Sequence, residues 1–267
     1  MTISPSTISM STLGDETKAL LLREWRLMVP LALVTVGLGA AVSGLIQPEL
    51  ISGDNVSGSL MLLFLVASLW TLFGNLALMA LCLTPGISVG ESLQVARARM
   101  PKMLLLIVIA AILFIMLLIP LALVLASSGV DLSSARPTIP PLAAFVLLLT
   151  LAGVVYVMIR LITLNAEIVD RNPPVLVSIR NAFAATRGMV ARLMGIMVLF
   201  LLVALVLGAA TTTIFGLFFK SIANLLGAPF AGDVMVALVS GMLSAGLTLV
   251  SIAFTAQLYR ALSARSA

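Results

Sequence analysis

The chain has 267 residues, of which 61% are hydrophobic and 9% are charged, with a formal net charge of +5 and a mean hydropathy of +1.24. Soluble domains carry about a quarter charged residues, so this composition excludes a water-soluble globular protein and predicts an integral membrane protein. The chain has no histidine, and Cys82 is its one cysteine, which excludes an intrachain disulfide.

Six apolar stretches are each long enough to cross a hydrocarbon core about 30 Å thick. Because every backbone donor and acceptor must be satisfied in that core, we predict helices and an all-α, polytopic fold. The stretches cover approximately residues 27–46, 60–83, 103–126, 142–164, 193–215 and 234–258. We therefore expect a polar cytoplasmic segment at 1–26, a six-helix transmembrane domain at 27–260 and a short cytoplasmic tail at 261–267.

Lysine and arginine are distributed unevenly between the two sides that this topology defines. Thirteen of the fifteen lie on one side, and only Arg136 and Lys220 lie on the other. By the positive-inside rule, both termini and the connections after spans two and four face the cytoplasm of a bacterial cytoplasmic (inner) membrane. The basic residues flank apolar runs, so we expect anionic membrane lipids as partners and no nucleic acid.

The connector after span two has the S-x-x-E spacing of a capping box at Ser88 and Glu91, which predicts a helix beginning there. Pro101 interrupts the pattern where the chain is expected to turn from the membrane surface into the third span. The residues expected to share one face of this amphipathic helix are Leu93, Ala96, Met100 and Met103.

The sequence of the connector after span four also predicts an amphipathic helix. We expect Asn172 to cap this helix, two prolines to lie in its first turn and Gly188 to form a joint at its end. A mostly apolar stripe is expected to dip into the acyl chains of the membrane. That stripe contains Val175, Leu176, Ile179, Ala182, Phe183 and Thr186.

The two connectors supply the candidate contacts to lipid headgroups or to a membrane-protein partner. Guanidinium groups pair well with phosphate, and each basic residue near an anionic surface contributes about 1 kcal/mol. The alternative is that the arginines only orient the helices. The candidates are Arg97, Arg99, Arg180, Phe183, Arg187 and Arg192.

A weak internal repeat relates the two connectors and the spans that follow them. SLQVARARMPKMLLLIVIAAILF from Ser92 aligns without gaps to SIRNAFAATRGMVARLMGIMVLF from Ser178. Because the offset covers two crossings, the copies are expected to run in parallel. Chance similarity between apolar helices is the alternative.

One segment resembles a known family. RLITLNAEIVD at 160–170, followed by AFAATRGMVARLMG at 182–195, is similar to the membrane domain found joined to some glycerophosphoryl diester phosphodiesterases and in stand-alone bacterial membrane proteins. The likeness is most specific at Phe183, at Thr186 to Gly188, at Arg192 and at Gly195. It implies a helical membrane domain without catalytic residues, since the phosphodiesterase activity belongs to a separate barrel domain that this sequence lacks.

Polar residues in or beside the spans form a second candidate site, an intramembrane or interfacial polar network. An interhelical hydrogen bond is the plainer explanation for the deepest of them, Asn75. No catalytic, metal-binding or cofactor-binding motif occurs, so we expect no enzyme and no cofactor. The predicted function is a non-enzymatic lipid- or envelope-associated module, and the alternative is a small-molecule transporter or channel. The network residues are Asn75, Arg160, Asn165, Glu167 and Arg171.

Overall fold

The computed structural model describes residues 10–52, 57–127 and 140–266, and the regular elements in these ranges are all helical. Arg136, which the topology prediction counted, lies outside them, as do residues 1–9 and 267 of the predicted terminal segments. In chain order the elements are α1 (Met10–Ala32), a π turn (Leu33–Gly37), α2 (Leu38–Ser52), α3 (Gly58–Leu83), α4 (Val89–Ser127), α5 (Pro141–Arg160), α6 (Leu164–Asp170), α7 (Val175–Ala185), α8 (Val190–Leu225) and α9 (Pro229–Ser266).

Six helical stretches in the described part of the chain are long and apolar enough to cross a membrane. They are Ser11–Gln47, Gly58–Leu83, Val89–Val124, Pro141–Asp170, Val190–Leu225 and Pro229–Ala264. The predicted all-α polytopic fold with six spans is therefore confirmed.

The first helix begins at Met10, inside the segment expected to be polar. Leu13, Thr17 and Leu20 recur at helical spacing and are buried, with exposed fractions of 2%, 6% and 5%. Leu13 packs with Leu258 and Leu262 near the end of α9. Because this stripe is buried against α9, the segment from Met10 onward is an amphipathic helix continuous with the first span.

The first span contains a π turn where it crosses α3 and α9. The indole Nε1 of Trp70 donates to the carbonyl oxygen of Val34 in that turn, at 3.0 Å. Gly241 lies so close to the carbonyl group of Gly37 that an added Cβ would overlap its oxygen. Gly246, five positions later on α9, has open space around it. The π turn therefore sits in a backbone-to-backbone contact that depends on Gly241.

Apolar side chains cover the outside of the bundle along α4, α5 and α8. Leu113, Leu148 and Leu201 are 60%, 67% and 60% exposed, in long runs of similarly exposed leucine, isoleucine and valine. Soluble monomers do not expose contiguous apolar surface of this extent. The outer surface is therefore suited to acyl chains, while α1, α2, α3 and α9 form most of the packed interior.

Candidate functional site

The connector after α3 begins with the predicted capping box. The backbone N–H of Ser88 donates to Oε2 of Glu91 at 2.7 Å, and the backbone N–H of Glu91 donates to the Ser88 hydroxyl at 3.2 Å. These bonds satisfy backbone donors at the start of α4. The predicted inner face is confirmed as well, because Ala96 is fully buried and Met103 is 6% exposed.

Pro101 does not interrupt α4, contrary to the expected turn into the membrane at this point. The helix runs through it from Val89 to Ser127. A proline here removes one hydrogen bond, the one that would reach the carbonyl oxygen of Arg97. Arg97 is on the exposed side of the helix, where water can hydrate that carbonyl, so the helix continues. The connector and the third span are thus one rigid element.

Asn172 does not cap α7. The cap position is Pro174, which makes no side-chain capping hydrogen bond, and α7 begins at Val175. Asn172 has a positive φ of 51°, a conformation that asparagine tolerates better than most residues. Its side-chain oxygen accepts from the Lys102 ammonium of α4 instead. A contact from another helix therefore replaces the expected local cap.

Three long-range contacts place both connectors and the last helix at one end of the bundle, here called the basic end. Lys102 Nζ lies 2.6 Å from the carbonyl oxygen of Pro173. Arg260 Nη2 on α9 donates to the carbonyl oxygen of Cys82 at 2.8 Å, which caps the end of α3. The Tyr259 hydroxyl donates to Asp170 at 2.9 Å.

Arg160 fixes α7 against the end of α5. Its Nη1 donates to the carbonyl oxygen of Phe183 at 2.9 Å, while Nε and Nη2 donate to the Tyr156 hydroxyl at 3.0 and 2.9 Å. The guanidinium carbon also lies 5.2 Å from the Tyr156 ring centroid and 5.7 Å from that of Phe183. Arg160 therefore positions the second connector, and it makes no ion pair with Glu167 in the described part of the chain.

The predicted apolar stripe of α7 faces the protein more than the acyl chains. Ala182 and Thr186 are fully buried, and so is Ser178, which the stripe did not include. The Thr186 hydroxyl donates to the carbonyl oxygen of Ala182 at 2.9 Å. Leu176 is the exception, because 78% of it is exposed. The predicted joint at Gly188 is confirmed, with a positive φ of 82° between α7 and α8.

Most of the predicted headgroup contacts are on the surface of the basic end. Their guanidinium groups make no ion pair within 4.0 Å among the described residues, whose ion pairs all involve other cations. Arg99 and Phe183 differ, because both are only half-exposed and the Nε of Arg99 is buried without a hydrogen-bond partner. The exposed, unpaired arginines are Arg97, Arg180, Arg187 and Arg192.

The predicted polar network is divided between separate places. Asn75 and Asn165 line a cavity of about 410 Å³ among α3, α5, α6, α8 and α9, and the Asn75 Oδ1 is buried without a hydrogen-bond partner. Glu167 and Arg171 line a different cavity of about 400 Å³ at the basic end. A transporter is expected to have one continuous polar cavity, which here would contain both Asn75 and Glu167. The two residues instead line separate cavities.

The cavity at the basic end, here called the Glu167 pocket, lies between α6, α7 and the last turns of α9. Its polar lining consists of Thr163, Glu167, Arg171, Asn181, Tyr259 and Ser263. Glu167 is only 4% exposed, and its Oε1 accepts from Nδ2 of Asn181 at 2.6 Å. Sequence reasoning missed Thr163 and Asn181, although Thr163, Glu167 and Arg171 share the four-residue spacing of one helical face.

Comparison with known proteins found no matching family model, no similar curated protein and no similar solved structure. The resemblance to the membrane domain associated with glycerophosphoryl diester phosphodiesterases therefore stays a prediction.

Proposed function

We propose that this integral membrane protein is a non-enzymatic module whose basic end binds anionic lipid headgroups. Its six apolar helices establish the membrane setting. The observation that carries the proposal is the set of four exposed arginines that lack an ion pair among the described residues. An exposed guanidinium beside an apolar belt is placed at headgroup depth, where lipid phosphate is its natural partner.

The packing of the second connector supports this proposal. Arg160 and the buried face of α7 hold the connector against the bundle, so Arg180 on α7 and Arg187 in the turn after it are presented outward from a fixed helix and its end. A fixed helix loses little conformational entropy when lipids bind to it. The exposed Leu176 lies on the same helix and offers an apolar contact to the membrane.

The proposed orientation places the basic end at the cytoplasmic face of a bacterial inner membrane. The inner leaflet surface is negatively charged, and the bias of lysine and arginine follows the positive-inside rule. Lys220, on the other side, pairs with Asp233 at 2.8 Å, so that side presents less free positive charge.

Native mass spectrometry of the full chain in mild detergent tests the lipid proposal. We expect the protein to retain more phosphatidylglycerol than phosphatidylcholine, and a variant with Arg180, Arg187 and Arg192 changed to glutamine to retain clearly less phosphatidylglycerol. The same positions changed to lysine form the matched control, because lysine preserves the charge. Unchanged phosphatidylglycerol retention in the glutamine variant would contradict the proposal.

The resemblance at 182–195 adds a possible protein partner to this proposal. A membrane domain of the kind joined to phosphodiesterases would act beside an enzyme domain on another chain. Crosslinking in bacterial membranes followed by purification tests this idea. An enzyme that acts on lipid headgroups should be recovered with the wild-type chain and lost when Leu176 and Arg180 are replaced.

Transport of a small molecule is the alternative function, and the cavity at Asn75 favours it. An unpartnered amide oxygen inside a cavity of about 410 Å³ can bind a hydrogen-bond donor on a solute. Proteoliposomes that contain the protein can be assayed for uptake of a small solute. Uptake by the wild-type chain that is lost in a normally folded Asn75→Leu variant would favour transport over the lipid-binding function.

A further inference from the structure

The Glu167 pocket contains a carboxylate that makes no ion pair within 4.0 Å in the described part of the chain, and the Arg171 guanidinium in the same pocket acts on it from farther away. Glu167 is 4% exposed, and no basic side chain of the described chain lies within 4.0 Å of its carboxylate. Its hydrogen bond from Asn181 is to a neutral amide. Buried carboxylates are ordinarily paired, because removing the charge from water is costly. A cationic ligand in the pocket would provide the missing pair.

Thr163 supplies a second, independent acceptor in the same pocket. Thr163 lines the cavity and is 1% exposed, and its buried hydroxyl has no hydrogen-bond partner. The backbone N–H of Glu167 donates to the carbonyl oxygen of Thr163 at 3.1 Å, which places the two residues one helical turn apart. A ligand cation with several N–H donors can bond both the hydroxyl and the carboxylate. A primary ammonium group has three such donors.

Arg171 adds a positive group one further turn along the same face. Its backbone N–H donates to the carbonyl oxygen of Glu167 at 3.0 Å. The side chain is 59% exposed, and its nearest carboxylate, that of Asp170, is 3.8 Å away, so the guanidinium remains able to bind an anion. The pocket therefore presents two acceptors inside and a guanidinium at its mouth, in a row along one helix.

We propose that the Glu167 pocket binds a primary ammonium group linked to a phosphate, as in a phosphoethanolamine headgroup. The ammonium pairs with Glu167 and donates to the Thr163 hydroxyl, while the phosphate binds Arg171. The location of the pocket at the basic end favours an aminophospholipid as the source of this group. The inference deepens the proposed lipid contact, but it concerns different residues from the exposed arginines.

Binding measurements on the full chain in mild detergent test this assignment. We expect phosphatidylethanolamine to bind at least ten times more tightly than phosphatidylcholine, whose quaternary ammonium has no N–H to donate. Glu167→Gln keeps the shape of the side chain and should weaken phosphatidylethanolamine binding about tenfold, and Thr163→Val should weaken it about threefold. Free phosphoethanolamine, added as a competitor, distinguishes the headgroup from the intact lipid as the ligand. If it displaces phosphatidylethanolamine, the pocket recognises the headgroup alone, and if it does not, binding requires the whole lipid.

A second variant covers the case in which Glu167→Gln does not fold. Ala184 is exposed at the pocket wall, so Ala184→Leu should block the pocket while leaving the carboxylate in place. Gln94→Ala, at an exposed position of α4 outside the pocket, is the control and should leave phosphatidylethanolamine binding unchanged. Equal binding of the two lipids by the wild-type chain, or full binding by both pocket variants, would overturn the assignment. The assignment of the Glu167 pocket does not depend on phosphatidylglycerol retention. It is therefore unaffected if the glutamine variant of Arg180, Arg187 and Arg192 loses only that retention.

Discussion

The ammonium of Lys102 lies 2.9 Å from the carbonyl oxygen of Asn172, a residue that follows it by 70 positions. It is also 2.6 Å from the carbonyl oxygen of Pro173. These contacts join α4, which contains the first connector, to the turn before α7. The two basic connectors therefore form one surface, and their charges are held at fixed relative positions.

Lys102→Gln should separate the two connectors. The substitution removes charge-assisted hydrogen bonds to three oxygens, the backbone carbonyls of Asn172 and Pro173 and the side chain of Asn172. We expect a loss of about 1–2 kcal/mol in the free energy of unfolding in mixed micelles. Proteolysis at the 171–174 turn should also become faster. Arg97→Gln, on the exposed face of the same helix, is the control, and an equal effect of both variants would show that the Lys102 contact contributes nothing.

Arg160→Lys should destabilise the protein although it preserves the charge. Lysine cannot donate to the Phe183 carbonyl oxygen and the Tyr156 hydroxyl with the fixed geometry of a guanidinium, and we expect a loss of about 1–3 kcal/mol. Thermal unfolding in detergent measures it. Arg192→Lys, at an exposed position without an ion pair, should have no effect. A midpoint for Arg160→Lys equal to the wild-type value would mean that α7 is held by its apolar face alone.

Gly241→Ala should disrupt the contact between α9 and the π turn. The added methyl group would overlap the carbonyl oxygen of Gly37, which is backbone and cannot rotate away, and overpacking of this kind costs about 1–3 kcal/mol. Gly246→Ala, five positions later on the same helix, meets no atom within 4 Å and should be neutral or slightly stabilising. Unfolding in mixed micelles distinguishes them, and equal stability of the two variants would refute the close contact.

Patterns within a short stretch predicted the fold well. The number of spans follows from the number of long apolar stretches. Each of them must be a helix, because lipid offers no hydrogen-bond partner to the backbone. The capping box at Ser88 and Glu91 is a local motif whose partners are three residues apart, so the sequence contains both of them. Glycine at position 188 marked the joint before α8 for the same local reason.

Contacts between distant residues could not be predicted in this way. Asn172 looked like a cap because nothing nearby in the sequence shows that Lys102 reaches it. The face of α7 that was assigned to acyl chains is apolar, and apolar side chains suit lipid and a protein interior equally. Which of the two covers Ala182 depends on how α7 packs against α5 and α6. The Glu167 pocket was missed for the same reason, since α6, α7 and α9 each contribute part of it.

Cysteine labelling in intact bacterial cells tests most directly whether the basic end faces the cytoplasm. Replacing the buried Cys82 by serine gives a background without thiols, into which Ala98→Cys at the basic end or Ala228→Cys at the opposite end is introduced. A maleimide that cannot cross the membrane should label the Ala228 variant in intact cells and the Ala98 variant only after the membrane is opened. Labelling of the Ala98 variant in intact cells would place the basic end outside and contradict the account.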